Sequence, residues 1–105
     1  MPVADAQCSW RLLTAAGVPT LPRFGDRFVF HPFSGTLRCV RNAEQLLLQT
    51  SEGAAPSQEM FMGKVSDDDV EQMLRALLSR LGAPGSTLSS TPDGGVVRFE
   101  VKGRG

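Results

Sequence analysis

The sequence predicts an α+β fold: an antiparallel sheet of about five to six strands, with a long helix in the C-terminal half (about 66–82) and an N-terminal helix (about 5–16) packed on it. Three observations lead there. One stretch carries a single apolar stripe of helical period with cap signals at both ends. Other segments alternate apolar and polar residues with period two and are separated by turn residues. These strand-like segments follow one another instead of alternating with crossover helices, which argues against a doubly wound parallel sheet. At 105 residues and 41% hydrophobic, residues 1–105 form one domain with a modest core.

The long helix is the best-marked element. Ser66 is placed to cap it, and Asp67, Asp68 and Asp69 put negative charge at the positive end of the helix dipole. Val65 and Val70 stand where a hydrophobic staple closes. Val70, Met73, Leu74, Leu77, Leu78 and Leu81 form the stripe, Glu71 and Arg75 an i, i+4 pair, and Gly82 and Pro84 the stop. Such a stripe needs a second apolar layer, which strands must supply. For the N-terminal helix, Asp5 is the cap, Cys8, Leu12 and Ala16 share a side, and Gly17 and Pro19 end it. Trp10 and Leu13 fall elsewhere on that wheel. Pro19 and Pro22 make 17–23 an extended linker.

Residues 27–40 read as a β-hairpin turning at Pro32–Gly35, with His31 opposite Thr36, Val29 opposite Arg38 and Phe28 opposite Cys39. Phe28, Phe30, Leu37 and Cys39 then share a core face. Arg27, Val29, His31, Thr36, Arg38 and Val40 share the other. A one-residue slip would bury arginines, so the register is well determined. Residues 45–50 fit a buried strand or a short helix capped by Asn42; the strand is favoured because so few residues separate it from the hairpin. Residues 51–57 read as a mobile loop. Residues 58–64 read as a strand with Met60 and Met62 on one face and Phe61 on the other. After Pro84 a small polar stretch leads to a turn at Thr91–Gly94. Val97, Phe99 and Val101 then alternate with Arg98, Glu100 and Lys102, with Leu88 on a weak partner strand and residues 103–105 as a frayed end.

The formal net charge is zero, so bulk charge attracts neither a polyanion nor a membrane. The charges are nonetheless sorted. Residues 1–43 hold five arginines against two aspartates, residues 44–71 one lysine against seven acids, and residues 72–105 five basic residues against two acids. Local helix-end chemistry and surface solubility account for much of this; a surface of two signs also suits a charged partner or a second copy. Two cysteines without a CxxC make no disulfide framework, and no apolar run reaches the length of a signal peptide core or membrane span. Reduced thiols in a cytoplasmic protein are the expectation.

The chemistry is restrictive. With a single histidine, every Ser–His or Cys–His scheme must use His31, which the register sets on the face opposite Cys39. One His and two distant Cys have no zinc spacing, and Asp67–Asp69 lacks the alternating ligands of a calcium loop. No glycine cluster leads into a helix to cradle phosphate. Neither a metal, a cofactor nor a catalytic residue is therefore expected.

The reading that remains is a small non-enzymatic protein-binding module: an adaptor, chaperone-like protein, antagonist or immunity-type regulator, acting by association with another protein and forming a homodimer. Met60 and Met62 are the expected apolar contacts, because methionine adapts to varied partners, with Arg27 and Arg38 as the charged contacts. The alternative is a nucleic-acid-binding module using the arginine-rich face of the first hairpin, with Phe24 and Phe33 to stack on bases. A small enzyme with an unrecognised site is the third.

Overall fold

The computed structural model describes residues 10–50, 55–81 and 85–103. Nine strands and one helix lie among them: β1 (Trp10–Leu13), β2 (Pro19–Thr20), β3 (Arg27–His31), β4 (Thr36–Arg41), β5 (Glu44–Gln45), β6 (Leu47–Thr50), β7 (Met60–Phe61), α1 (Asp67–Leu81), β8 (Thr87–Asp93) and β9 (Val96–Lys102). The larger sheet runs β5-β4-β3-β9-β8, with β7 also on β4, and a smaller sheet runs β2-β1-β6. All pairings are antiparallel. Since β3 takes one side of β4, β5 and β7 share the other, β7 beside Thr36 and Leu37 and β5 beside Val40 and Arg41.

The β3–β4 hairpin has the expected register, with Phe28 opposite Cys39 and His31 opposite Thr36. The 45–50 segment is extended but broken. β5 and β6 are separated by Leu46, fully buried, whose N–H donates to the Cys39 carbonyl at 2.8 Å. There the chain passes from the larger sheet into the smaller, as strands do at the corners of folded-over sheets. Of 58–64 only Met60–Phe61 is strand. Ser57 makes an isolated bridge to Leu48. Residues 51–54 of the expected loop, and residues 104–105 of the expected frayed end, lie outside the described residues.

The core face of the larger sheet contributes Phe28, Phe30, Leu37, Cys39, Leu88, Val97, Phe99 and Val101. Trp10, Leu12 and Leu48 come from the smaller sheet, and Val70, Leu74, Leu77 and Leu78 from α1. The expected cap of α1 is in place: the Asp69 N–H donates to Ser66 Oγ at 3.1 Å, and the Ser66 N–H to Asp69 Oδ2 at 3.4 Å, a capping box closed by aspartate. Glu71 accepts from Arg75 at 2.7 Å. The expected stop at Gly82 and Pro84 lies outside the described residues.

The two-helix architecture is not what the chain adopts: α1 is the one helix among the described residues. Residues 10–13 of the expected N-terminal helix are strand β1, while Asp5 and Cys8 fall outside the described residues. Trp10 and Leu12 are buried on either side of exposed Arg11, a period of two. β6 supplies the pairing, Trp10 with Thr50 and Leu12 with Leu48. Thr14 and Val18 then close a turn, the Thr14 N–H donating to the Val18 carbonyl at 2.8 Å, and Gly17 takes φ +84°, which an α-helix does not permit. The linker reading of 17–23 is revised with it, since Pro19–Thr20 is β2.

The last turn also differs. β8 runs on through Thr91, Pro92 and Asp93, and Gly94 (φ +57°) and Gly95 (φ +92°) make the two-residue turn into β9. Pro92 is tolerated because β8 is the sheet's edge among the described residues, with no further strand there to receive the missing N–H.

Candidate partner-binding surface

Alternation along the strands gives the larger sheet an outer face opposite the core. In register across it stand Gln45, Val40, Arg27, Glu100 and Ser89 in one row, and Arg38, Val29, Arg98 and Thr91 in the next. Phe61 and Thr36, with His31 opposite Thr36, begin a third. No element among the described residues covers this face.

Aromatic side chains mark its rim. Phe61 is 73% exposed and Phe33, on the β3–β4 turn, fully so. The position of Phe61 is fixed from below by backbone. The Met62 N–H donates to the Gly35 carbonyl at 2.7 Å, drawing the segment after β7 over the hairpin tip. Gly35 has φ +74°, and a Cβ there would lie 2.7 Å from the Gly63 oxygen and 3.3 Å from the Phe61 ring. Only glycine permits both the conformation and the approach.

The four residues expected to bind a partner divide between the two faces. Met60 and Met62 are half-buried and pack on the core; Met60 lies opposite Leu37. Arg27 and Arg38 are on the outer face. Arg27 is exposed and makes no ion pair among the described residues. Arg38 donates to Gln45 Oε1 at 3.2 Å, and Gln45 donates in turn to the Gln58 carbonyl at 3.0 Å. The residue presented to solvent is Phe61, which the Met-Phe-Met alternation had already set on the opposite side from the methionines. The sequence could not show which of two apolar sides faces out; pairing with β4 decides it.

Arg41 stands apart from the arginines of the outer face. Arg41 is 14% exposed and belongs to the core-side rim, where its Nε donates to Asp26 Oδ1 at 2.8 Å and its Nη2 to Asp26 Oδ2 at 3.0 Å. It also donates to Thr20 Oγ1 and to the Leu21 carbonyl, fastening the strand β2 region to β3 and β4. Asp26 is completely buried and takes a further bond from the Arg23 N–H at 2.9 Å. Hydrogen bonding to Asp26 raises the Arg41 pKa further. The sequence carries no local sign of this pair, because its members are far apart along the chain. Arg98 is bonded to Asp93.

The larger sheet's β8 edge is poorly suited to adding a strand. The Val101 N–H donates to Asp26 and its carbonyl accepts from Gly25, so its partner Leu88 turns its own polar groups outward. Arg75 Nη2 donates to that Leu88 carbonyl at 3.3 Å. Two residues on, Ser90 also points outward, and after it Pro92 has no N–H to offer. This is how natural edges are blunted.

His31 lies on the outer face and Cys39 in the core, where burial pushes the thiol pKa far up, and a neutral thiol is a poor nucleophile. Among the described residues no group of three or more His, Cys, Asp or Glu could hold a metal ion, and no helix is long and apolar enough to cross a membrane. A recess of about 50 Å³ between α1 and the β1–β2 hairpin is lined by Trp10, Arg11, Leu12, Thr20, Leu21, Pro22 and Leu77, room for little more than water. The indole Nε1 of Trp10 is buried and has no acceptor among the described residues. Val18, Leu21 and Phe24 are more than half exposed. No protein-family model matches the chain, and no curated protein or solved structure matches it either.

Proposed function

We propose that the chain is a non-enzymatic protein-binding module that engages its partner through the outer face of the larger sheet. The observation that carries this reading is Phe61, 73% exposed and paired by its backbone with β4, the strand that also presents Arg38. Aromatic residues and arginine are enriched at interfaces, and aromatics exposed on an ordered scaffold are good anchors. Met60 and Met62 support the surface from beneath; Arg27 and Arg38 contact the partner. The blunted β8 edge favours docking on a face over strand addition. A homodimer is one form this association can take.

The test is site-specific photo-crosslinking in the native host. A photoreactive residue at position 61 should give a discrete adduct that the Arg38→Glu change abolishes, while the same residue at Gln72, exposed on α1, gives none. Equal labelling from both positions, or none from position 61, would refute the assignment.

A further inference from the structure

We infer that the occupant of the outer face is an extended acidic segment of another protein, with carboxylate side chains two residues apart and an apolar side chain two residues further along, an inference that rests on the protein-binding reading above. The face is unevenly charged. Arg98 is already tied to Asp93, which leaves Arg27, Arg38 and Lys102 against the single carboxylate of Glu100. Two such faces would repel each other across an isologous interface, so a second copy is the poorer occupant. Nucleic acid is poorer too, because a chain of zero formal net charge whose outer face offers Arg27, Arg38 and Lys102 supplies few of the phosphate contacts that hold a nucleic-acid backbone.

The spacing narrows the partner further. Arg27 lies opposite Val40 and Arg38 opposite Val29, so the two arginines are diagonal neighbours on one face, about 7–8 Å apart. Alternate side chains of an extended strand are spaced about 6.6–6.8 Å. Two carboxylates at i and i+2 of an extended segment therefore reach both guanidinium groups at once. Arg38 is already restrained by Gln45, so little of its freedom remains to be lost on binding. Thr36 is the next residue on the same face of β4, with Phe61 beside it, so the following alternate position of the segment meets an aromatic ring.

The probe is a fluorescein-labelled ten-residue peptide with leucine and two glutamates at three alternate positions and serine or glycine elsewhere. Binding to the full chain is read by anisotropy. The glutamine version of the peptide should bind about tenfold more weakly, as should the acidic peptide to the Arg27→Gln/Arg38→Gln variant. Affinity should fall as salt rises from about 0.02 to 0.3 M. Each variant is first shown to be folded by its Trp10 fluorescence and urea midpoint. Equal binding of the acidic and glutamine peptides overturns the inference. No peptide binding alongside a discrete protein adduct from position 61 overturns it too and leaves the protein-binding reading standing. Tighter binding of a labelled oligothymidylate, lost in the same arginine variant, overturns both. Light scattering that shows the unmodified chain dimerising through this face, with dimers lost on Phe61→Ala, replaces the acidic segment by a second copy.

Discussion

The Asp26–Arg41 pair offers the sharpest test of how this fold is held together. Asp26 has no exposed surface and Arg41 is 14% exposed, so the carboxylate is cut off from bulk water and the guanidinium reaches it only at its margin. Replacing Arg41 by methionine keeps the length of the side chain and removes its charge. Asp26 then retains one hydrogen bond, from the Arg23 N–H, while Thr20 and the Leu21 carbonyl lose their donor. Removing one member of a buried pair costs about 3–5 kcal/mol, and the lost tether to Thr20 and Leu21 places this case at about 4. With a urea m-value of about 1–1.5 kcal/mol/M for a chain this size, the midpoint should drop by roughly 3 M. Asp26→Asn, which keeps an acceptor for Arg41, should cost about 2–3 kcal/mol. The double variant leaves no uncompensated charge and should fall short of the summed single effects by about 2 kcal/mol. The assay is equilibrium urea unfolding followed by Trp10, the single tryptophan and a buried one. A cost under about 1 kcal/mol for Arg41→Met, or strict additivity in the double variant, would show that the pair is solvated and refute the reasoning.

Three further outcomes are expected. The folded chain holds the Cys39 proton above its ordinary pKa of 9.0, so above about pH 9 the unfolded state binds fewer protons than the native one. Stability should therefore fall with rising pH by about 1.4 kcal/mol per unit from this group alone; chemical denaturation of the parent and Cys39→Ala at pH 8 to about 10.5 should show the extra slope in the parent, and parallel curves would contradict it. Asn42 (φ +50°) and Ala43 (φ +66°) make the tight turn between β4 and β5, a pairing that favours glycine second, so Ala43→Gly should stabilise the chain by about 0.5–1 kcal/mol in the same urea assay. A destabilised variant would mean that the turn tolerates alanine without strain. Pro92→Thr combined with Arg75→Ala restores an outward N–H to β8 and frees the Leu88 carbonyl, and light scattering should then show concentration-dependent association absent from the parent; a variant that scatters like the parent would show that the edge is protected by something else.

The parts of the fold legible from the sequence were those whose determinants sit within a few residues. The cap at Ser66, the acids after it and the stripe from Val70 to Leu78 identified α1 without knowledge of its neighbours. The β3–β4 register followed from two faces so different in polarity that slippage would bury arginine. Residues 10–13 misled because four residues are too few to separate a period of two from one of 3.6, and Leu12 fits both. The turn after β8 misled because Pro92 and Asp93 carry turn chemistry, yet an edge strand accepts proline and Gly94–Gly95 satisfies the positive φ values a two-residue turn requires. Of the residues expected to bind a partner, the sequence placed Arg27 and Arg38 on the polar face. It could not tell that Met60 and Met62 would line the core and leave Phe61 to the solvent.

By itself the sequence determined one capped amphipathic helix, one hairpin with a core side and a charged side, and an alternating last strand, because neighbouring residues write those periods directly. Only the tertiary structure decided that Trp10–Leu13 pairs with Leu47–Thr50, that the chain bends between sheets at Leu46, that Asp26 meets Arg41, and which aromatic rings remain uncovered. Each of those outcomes depends on a partner distant in the chain. Strand pairing and charge burial are set by which partner the packed core brings within reach, and no short window of residues contains that information.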